Sequence, residues 1–286
     1  MPEAKVAFIG GSGLYNMDGL PDRDEIEIST PFGPPSDRIV TGTLNGVGIA
    51  FLPRHGKGHR LSPTELPARA NIYALKTLGV ERIISISAVG SLKESVRPLD
   101  LLVPDQLIDR TRSRKDTFFG NGIVAHVGFA EPFCPALSEV LAQSARDQKA
   151  SVHIGGTYVV MEGPQFSTRA ESQLYRSWGA SVVGMTALPE AKLAREAEIC
   201  YATLALVTDY DVWRLSEEQV SVELVIANLV QNTETSRKII VDVVTKLPRK
   251  RDCACESALK DAIITDRDHI PQEAKERLAP LVGRYL

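Results

Sequence analysis

The 286-residue sequence is short of several features, and each shortage excludes a class of function. It has no excess of one charge: 33 Lys and Arg against 36 Asp and Glu leave a formal net charge of −3. A non-specific nucleic-acid binder carries a basic excess or stripe, so no nucleic-acid partner is expected. No block of like charges reads as an interaction tail. No apolar run approaches the roughly 18 residues of a membrane helix. The start, Met1-Pro2-Glu3-Ala4-Lys5, runs straight into an apolar strand without a signal-peptide plan. The expectation is a cytoplasmic protein with no membrane partner.

Cysteine is scarce, with four in all: Cys134, Cys200, Cys253 and Cys255. Free thiols are the default in the cytosol. Cys253-Ala254-Cys255 is one close pair with no second pair and no His at zinc spacing. Structural zinc takes four ligands, so the pair reads as a surface feature and no metal is expected. His55 and His59 have Gly56 and Gly58 between them, which disfavours a helix, and no Glu completes H-E-x-x-H. No G-x-S-x-G elbow occurs. Gly10-Gly11-Ser12-Gly13 lacks the ending of a P-loop, and Asn16 stands where a dinucleotide fingerprint needs its last glycine.

What is present is ordinary globular material, 43% apolar and 24% charged. Short apolar runs, turns and helical patterns follow one another. Strands are expected at 5–9, 47–52, 82–87, 100–104, 157–161, 181–185 and 199–208. Helices are expected at 67–78, 135–148, 168–178, from 189, 221 to about 247, and near 272–278. Thr168 with Glu171 forms a capping box, and Gly79 and Gly179 stop two helices. Strands alternating with helices indicate an α/β layered fold. No linker or repeat appears, so the expectation is one domain over 1–286, with a C-terminal helical tail from about 248.

The polar residues cluster where strands end, which is where open α/β sheets bind ligands. The first turn can bring backbone N–H groups to an anion. Arg54 offers a planar fork for phosphate oxygens, beside His55. Ser87, followed by Ala88, and Thr186, preceded by Met185, end two further strands with hydroxyls. Each alone reads equally as a turn or cap. Asp209 and Asp211 close the most apolar strand and suit either proton transfer to a heteroaromatic ligand or a plain turn. Phe166 can stack on a planar ligand or pack in the core.

Together these segments resemble one family, the 5′-methylthioadenosine phosphorylases of the trimeric purine nucleoside phosphorylase superfamily. The resemblance rests on Ile9-Gly10-Gly11-Ser12-Gly13-Leu14, Thr30-Pro31-Phe32-Gly33-Pro34-Pro35-Ser36-Asp37 and Pro53-Arg54-His55-Gly56. It continues through Ala130-Glu131-Pro132-Phe133-Cys134-Pro135, Glu162-Gly163-Pro164-Gln165-Phe166-Ser167, Met185-Thr186-Ala187-Leu188-Pro189-Glu190 and Thr208-Asp209-Tyr210-Asp211. The segments stand in family order from about 5 to about 245. The Cys-Ala-Cys of the tail resembles that of some prokaryotic members.

The resemblance implies a phosphorylase-like fold of three layers, a central mixed β-sheet flanked by helices. It implies phosphorolysis of 5′-methylthioadenosine to adenine and 5-methylthioribose 1-phosphate, a salvage reaction without a cofactor, phosphate being the co-substrate. Phosphate would be held by Ser12, Arg54, His55, Ser87, the Ala88 backbone and Thr186, with Arg54 and His55 as a positive clamp. Met185 would lie under the ribose and Phe166 beside the purine. Asp209 would act as the acid at purine N7, and Asp211 would accept from the 6-amino group. Val222 would leave room for the methylthio group, Ser167 would mark another specificity position, and His126 would reach a neighbouring subunit's site in a homotrimer or dimer of trimers. Ser12 and Ser87 stand where threonine is common, and Gly184 stands where many members carry Asn, loosening one contact near the substrate. Competing readings are a phosphorylase of 6-oxopurine nucleosides or plain adenosine, a nucleotide-binding oxidoreductase on the first turn, and a non-catalytic scaffold.

Overall fold

The computed structural model describes residues 3–11, 20–214 and 221–286. Eleven strands form one sheet: β1 (Val6–Gly10), β2 (Asp24–Ile26), β3 (Ile39–Leu44), β4 (Val47–Pro53), β5 (Arg82–Ser91), β6 (Leu101–Val103), β7 (Gln106–Arg110), β8 (Val152–Ile154), β9 (Thr157–Met161), β10 (Val182–Gly184) and β11 (Cys200–Asp209). The helices are α1 (Ala68–Thr77), α2 (Pro135–Asp147), α3 (Arg169–Ser177), α4 (Ala187–Glu196), α5 (Val222–Lys246), α6 (Gln272–Arg277) and α7 (Ala279–Val282). The expected α/β class and mixed sheet are observed.

Strand alternation explains the layers. In β1, Ala7 and Ile9 point to one apolar core and Val6 and Phe8 to the other. The first core receives Leu75 of α1, Leu193 of α4 and Leu281 of α7. The second receives Leu141 of α2 and Ile240 of α5. Strands buried on both faces read as continuous apolar runs, and β11 is buried at every residue. A smaller core joins Tyr175 of α3 to Leu92, Val159 and Val183.

The expected strand at 157–161 is matched residue for residue, and most others shift by one residue. Four strands, β2, β3, β7 and β8, and the short helix α7 were not expected. β2 and β8 are three residues long. β3 pairs with β4 across Asn45-Gly46, both at positive φ (50° and 78°), the signature of a two-residue hairpin turn. β5 runs past the expected Ser87 to Ser91, because Ala88, Val89 and Gly90 continue the parallel pairing with β11.

The sheet has a deliberate gap. One edge of β5 pairs with β11 along nearly its whole length. The other edge pairs with β1 only as far as Ser85, and with antiparallel β10 only from Gly90. Residues 86–89 therefore have no ladder partner on that edge, and backbone groups there are available to something else. This is the switch point at which such sheets bind ligands.

The tail from about 248 is built into the protein rather than appended to it. Leu259, Ile270, Leu278, Leu281 and Val282 belong to the first core, and Ile263 forms a bridge with Ala125. The reading of Cys253 and Cys255 as a surface pair without a second pair needs correction. Cys255 is buried, and Cys134 and Cys200 lie against the pair, all four thiol sulfurs within 4.8 Å of one another. The second pair of thiols lies about 50 and 120 residues upstream, beyond any local spacing rule.

The expected capping box is formed. The Thr168 hydroxyl accepts from the Glu171 N–H at 3.2 Å, and the Glu171 carboxylate accepts from the Thr168 N–H at 2.8 Å. Thr168→Ala should lower the unfolding free energy by about 1 kcal/mol in urea denaturation. No change would mean that packing alone holds α3.

Candidate active site

A cavity of about 250 Å³ opens at the gap in the sheet. Its wall includes Arg54, His55, Ser87, Ala88, Phe166, Met185, Thr186, Asp209 and Asp211, nine of the thirteen residues expected at the site. β4 delivers Arg54 and His55, β5 delivers Ser87 and Ala88, β10 leads to Met185 and Thr186, and β11 delivers the two acids. They meet because the C-terminal ends of β1, β4, β5 and β11 lie side by side in parallel.

Arg54 is the fixed point. Its side chain is only 2% exposed, and Glu190 grips it with two oxygens, from Nε at 2.6 Å and Nη2 at 3.2 Å. Nη2 also meets the Ser85 hydroxyl at 2.7 Å and the Ile9 carbonyl at 3.2 Å. Nη1 donates to the Ile86 carbonyl at 3.0 Å, inside the gap. A fork held this way costs little ordering entropy when an anion arrives.

Alternate residues of a strand turn their N–H and C=O to the same edge. Ile86 faces the gap, so Ala88 presents its N–H there too. The hydroxyls of Ser87 and Thr186 are buried and have no protein partner, nor has the Tyr158 hydroxyl beside them. Unpartnered buried hydroxyls cost free energy and are characteristic of sites that await a polar ligand. A Cβ at Gly184 would lie 2.3 Å from the Tyr158 oxygen. An Asn at 184 therefore does not fit while Tyr158 stays.

His55 does not act as the expected positive partner of Arg54. Burial and the neighbouring guanidinium lower its pKa from 6.5 to about 4. Its Nδ1 lies 2.8 Å from the Leu61 carbonyl. A carbonyl only accepts, so Nδ1 carries the proton and Nε2 keeps a lone pair. His59 stacks on it at 4.2 Å.

Three positions from Ser87 along β5, roughly 10 Å, Gly90 lies under the acids. A Cβ there would stand 2.8 Å from Asp209 Oδ1, so glycine permits the approach. Asp209 is 6% exposed. It accepts from the Thr208 hydroxyl at 2.7 Å and from the Asp211 N–H at 2.7 Å. Burial still pushes its pKa up, with the Asp211 charge adding to it. Burial also raises the Asp211 carboxyl, and its Oδ2 has no protein partner. Asp211 sits at φ 52°, a conformation that Asp tolerates better than most residues.

Of the other four expected residues, the three that are described lie off the cavity wall. Ser12 lies outside the described residues. Ser167 is buried just behind the wall, close enough to Asp211 to favour its charged form. Val222 is 58% exposed. Helical phase is the reason: Val225, Leu229 and Thr233 form the cavity stripe of α5, and Val222, Ile226 and Val230 lie on a stripe turned by about 100°. His126 is exposed, with its backbone tied to Ala262.

Two contributors carried no legible signal of their role. Glu190 looked like one acid in a helix. Arg114 sits in a basic run resembling a solvated loop, yet its side chain is 3% exposed. It donates to the carbonyls of Met185, Leu188 and Glu162, the last two at 2.6 Å. It thereby fastens the loop after β9 to the start of α4.

The sequence and fold have known counterparts. Residues 5–245 match the model of the phosphorylase superfamily. An S-methyl-5′-thioadenosine phosphorylase of Geobacter sulfurreducens is 58% identical over 285 residues, spanning 99% of this chain and 100% of that protein. A methylthioadenosine phosphorylase from an Antarctic soil metagenomic library, solved by crystallography, is 50% identical with a TM-score of 0.93 over 98% and 99% of the two chains. A variant adenosine/methylthioadenosine phosphorylase of Schistosoma mansoni, crystallised with methylthioadenosine, is 37% identical with a TM-score of 0.79 over 85% and 91%.

Two measurements test the geometry. Glu190→Gln leaves the buried Arg54 charge uncompensated and should cost about 3–5 kcal/mol of stability by denaturant titration. For His55, nitrogen-detected NMR should show the Nδ1-protonated neutral ring at pH 6, with protonation beginning only near pH 4. As pH falls from 6.5 to 4, the unfolded chain binds a proton that the native His55 refuses, so this residue withdraws stability across that window. A native midpoint above 6 would rule out the neutral assignment.

Proposed function

The chain belongs to the phosphorylase superfamily, and from that premise we infer that it cleaves 5′-methylthioadenosine with phosphate to adenine and 5-methylthioribose 1-phosphate. The observation carrying this reading is one cavity with two unlike ends, a hydroxyl-lined notch beside Arg54 and a pair of buried acids roughly 10 Å further along β5. A ribose spans such a distance between an attacking phosphate and a departing purine.

Phosphate takes the unpartnered Ser87 and Thr186 hydroxyls, the Ala88 N–H and the second Nη1 hydrogen of Arg54, whose other hydrogens are held by Glu190, Ser85, Ile9 and Ile86. The Nε2 lone pair of His55 receives the P–OH of the monohydrogen anion. Ser12 stays an expectation of the family pattern. Met185 lies against the ribose and Phe166 covers the purine. The methylthio group finds apolar contact with Val225 and Leu229 in place of Val222. As the glycosidic bond breaks, its electron pair moves onto the purine. Asp209, its pKa raised by burial, gives a proton to N7, and a phosphate oxygen bonds to the anomeric carbon. Solvent restores the Asp209 proton. The free Oδ2 of Asp211 accepts from a 6-amino group. A 6-oxo group would present a second acceptor there, which disfavours inosine-type substrates. The reaction uses no cofactor.

The family's trimer, or a dimer of trimers, is part of the same reading. Val222, Ile226 and Val230 form an exposed apolar stripe of the kind a subunit contact covers, and His126 is a residue such a contact would bring to a neighbour. Among the described residues no helix is long and apolar enough to cross a membrane.

Phosphate-dependent base release from methylthioadenosine, adenosine, methylthioinosine and inosine tests the assignment. Methylthioadenosine should be fastest, and Asp209→Asn should lower its turnover by about 10²–10⁴-fold. Faster cleavage of either oxopurine would overturn the role given to Asp211.

A further inference from the structure

The four cysteines lie far from the cavity. Cys200 opens β11 and Asp209 closes it, so the thiols and the acids are separated by roughly 30 Å of strand. Cys134 is the residue before α2, Cys253 precedes a single turn of 3₁₀ helix, and Cys255 lies within that turn. Three remote segments thus converge on one point. All four thiols are free, and the sulfurs of Cys200 and Cys253 are 3.3 Å apart. A tetrahedral Zn–thiolate site with bonds of about 2.3 Å spaces its sulfurs by about 3.8 Å. The observed cluster, within 4.8 Å throughout, is already near that size.

The surroundings suit a charged centre. Four thiolates on a divalent ion carry a net charge of −2. Arg82 and Arg251 line a cavity of about 30 Å³ that reaches Cys134, Cys200 and Cys253. Cys134 stands at the N-terminus of α2, where backbone N–H groups favour a thiolate. The exposed Asp252 also lines this small cavity, which therefore leads from the surface to the cluster.

We propose that Cys134, Cys200, Cys253 and Cys255 form a structural metal site that binds one Zn²⁺ per chain and clamps the C-terminal tail to β11 and α2. Binding exchanges four thiol protons, released to solvent, for one divalent ion. A full set of four protein sulfurs is the pattern of a closed structural site. The clamp joins Cys200 to Cys253, 53 residues apart, and fixes the tail whose apolar residues complete the first core. Metal loss should therefore loosen the tail without touching the cavity wall.

The test uses the full chain, purified without chelator from cells grown with added zinc. Elemental analysis should give one zinc per chain, released stoichiometrically when an organomercurial titrates the four thiols. Cys255→Ser should drop retention well below one. Because that variant can also loosen the tail, wild-type protein is stripped and reloaded with Co²⁺. Intense thiolate-to-cobalt charge-transfer bands with tetrahedral d–d bands are then expected, and protease should cut the stripped tail faster than the reloaded one. Metal-free protein with four reactive thiols would overturn the proposal. So would an intact mass lower by two hydrogens for each of two bridges, which would make the cluster a pair of disulfides.

Discussion

The buried pair of Arg54 and Glu190 is the constraint on which the rest of the site depends. One guanidinium joins α4 through Glu190, β5 through Ser85 and Ile86, and β1 through Ile9. Tyr201 of β11 adds a hydrogen bond to the same carboxylate at 2.9 Å. Four elements that come from opposite ends of the sequence are held in register by charges that cannot be left unpaired inside the protein. The pair also sets the electrostatics of its neighbours. The Arg54 charge helps to keep His55 neutral, so the notch has one permanent cation and an adjacent acceptor instead of two cations. That suits a protonated phosphate, which needs both.

The gap in the sheet converts this rigidity into a binding site. A continuous ladder along β5 would have used its edge groups on backbone partners. Because β1 stops at Ser85 and β10 begins at Gly90, the intervening edge is free and still rigid, as it is paired to β11 behind. Polar groups on such an edge are preorganised, which is what transition-state stabilisation requires. Glycine at 90 lets the acids come down onto the strand, and glycine at 184 leaves room for Tyr158. The same stretch of β-sheet thus places the hydroxyl-lined notch and the acid pair in one cavity, and strand rise sets the distance between them.

β11 divides labour between its two ends. Its C-terminal end carries Asp209, close to Asp211 in the turn that follows, where strand ends in this architecture meet ligands. Its N-terminal end carries Cys200 in the thiol cluster, where the tail returns to the sheet. Chemistry and anchoring are kept apart by the length of one strand, so the tail can be stabilised without crowding the cavity.

The sequence by itself determined most of the longer elements and most of the residues that line the cavity. Periodicity placed β9 to the residue and located α2, α3 and α5 closely, because apolar alternation and capping are local effects. The ordered motifs named nine residues that line the cavity. Tertiary structure decided what each does. Helical phase, which needs the neighbouring elements to define a face, put Val225 and Leu229 on the cavity wall and left Val222 exposed. Burial, which no local pattern reports, turned His55 from cation to acceptor and raised the pKa of both acids. The long-range pairing of Arg54 with Glu190 and the convergence of Cys134 and Cys200 on Cys253 and Cys255 depend on folding distant segments together. Contacts of that separation leave no periodic trace in the chain, since nothing local selects them until the sheet has formed.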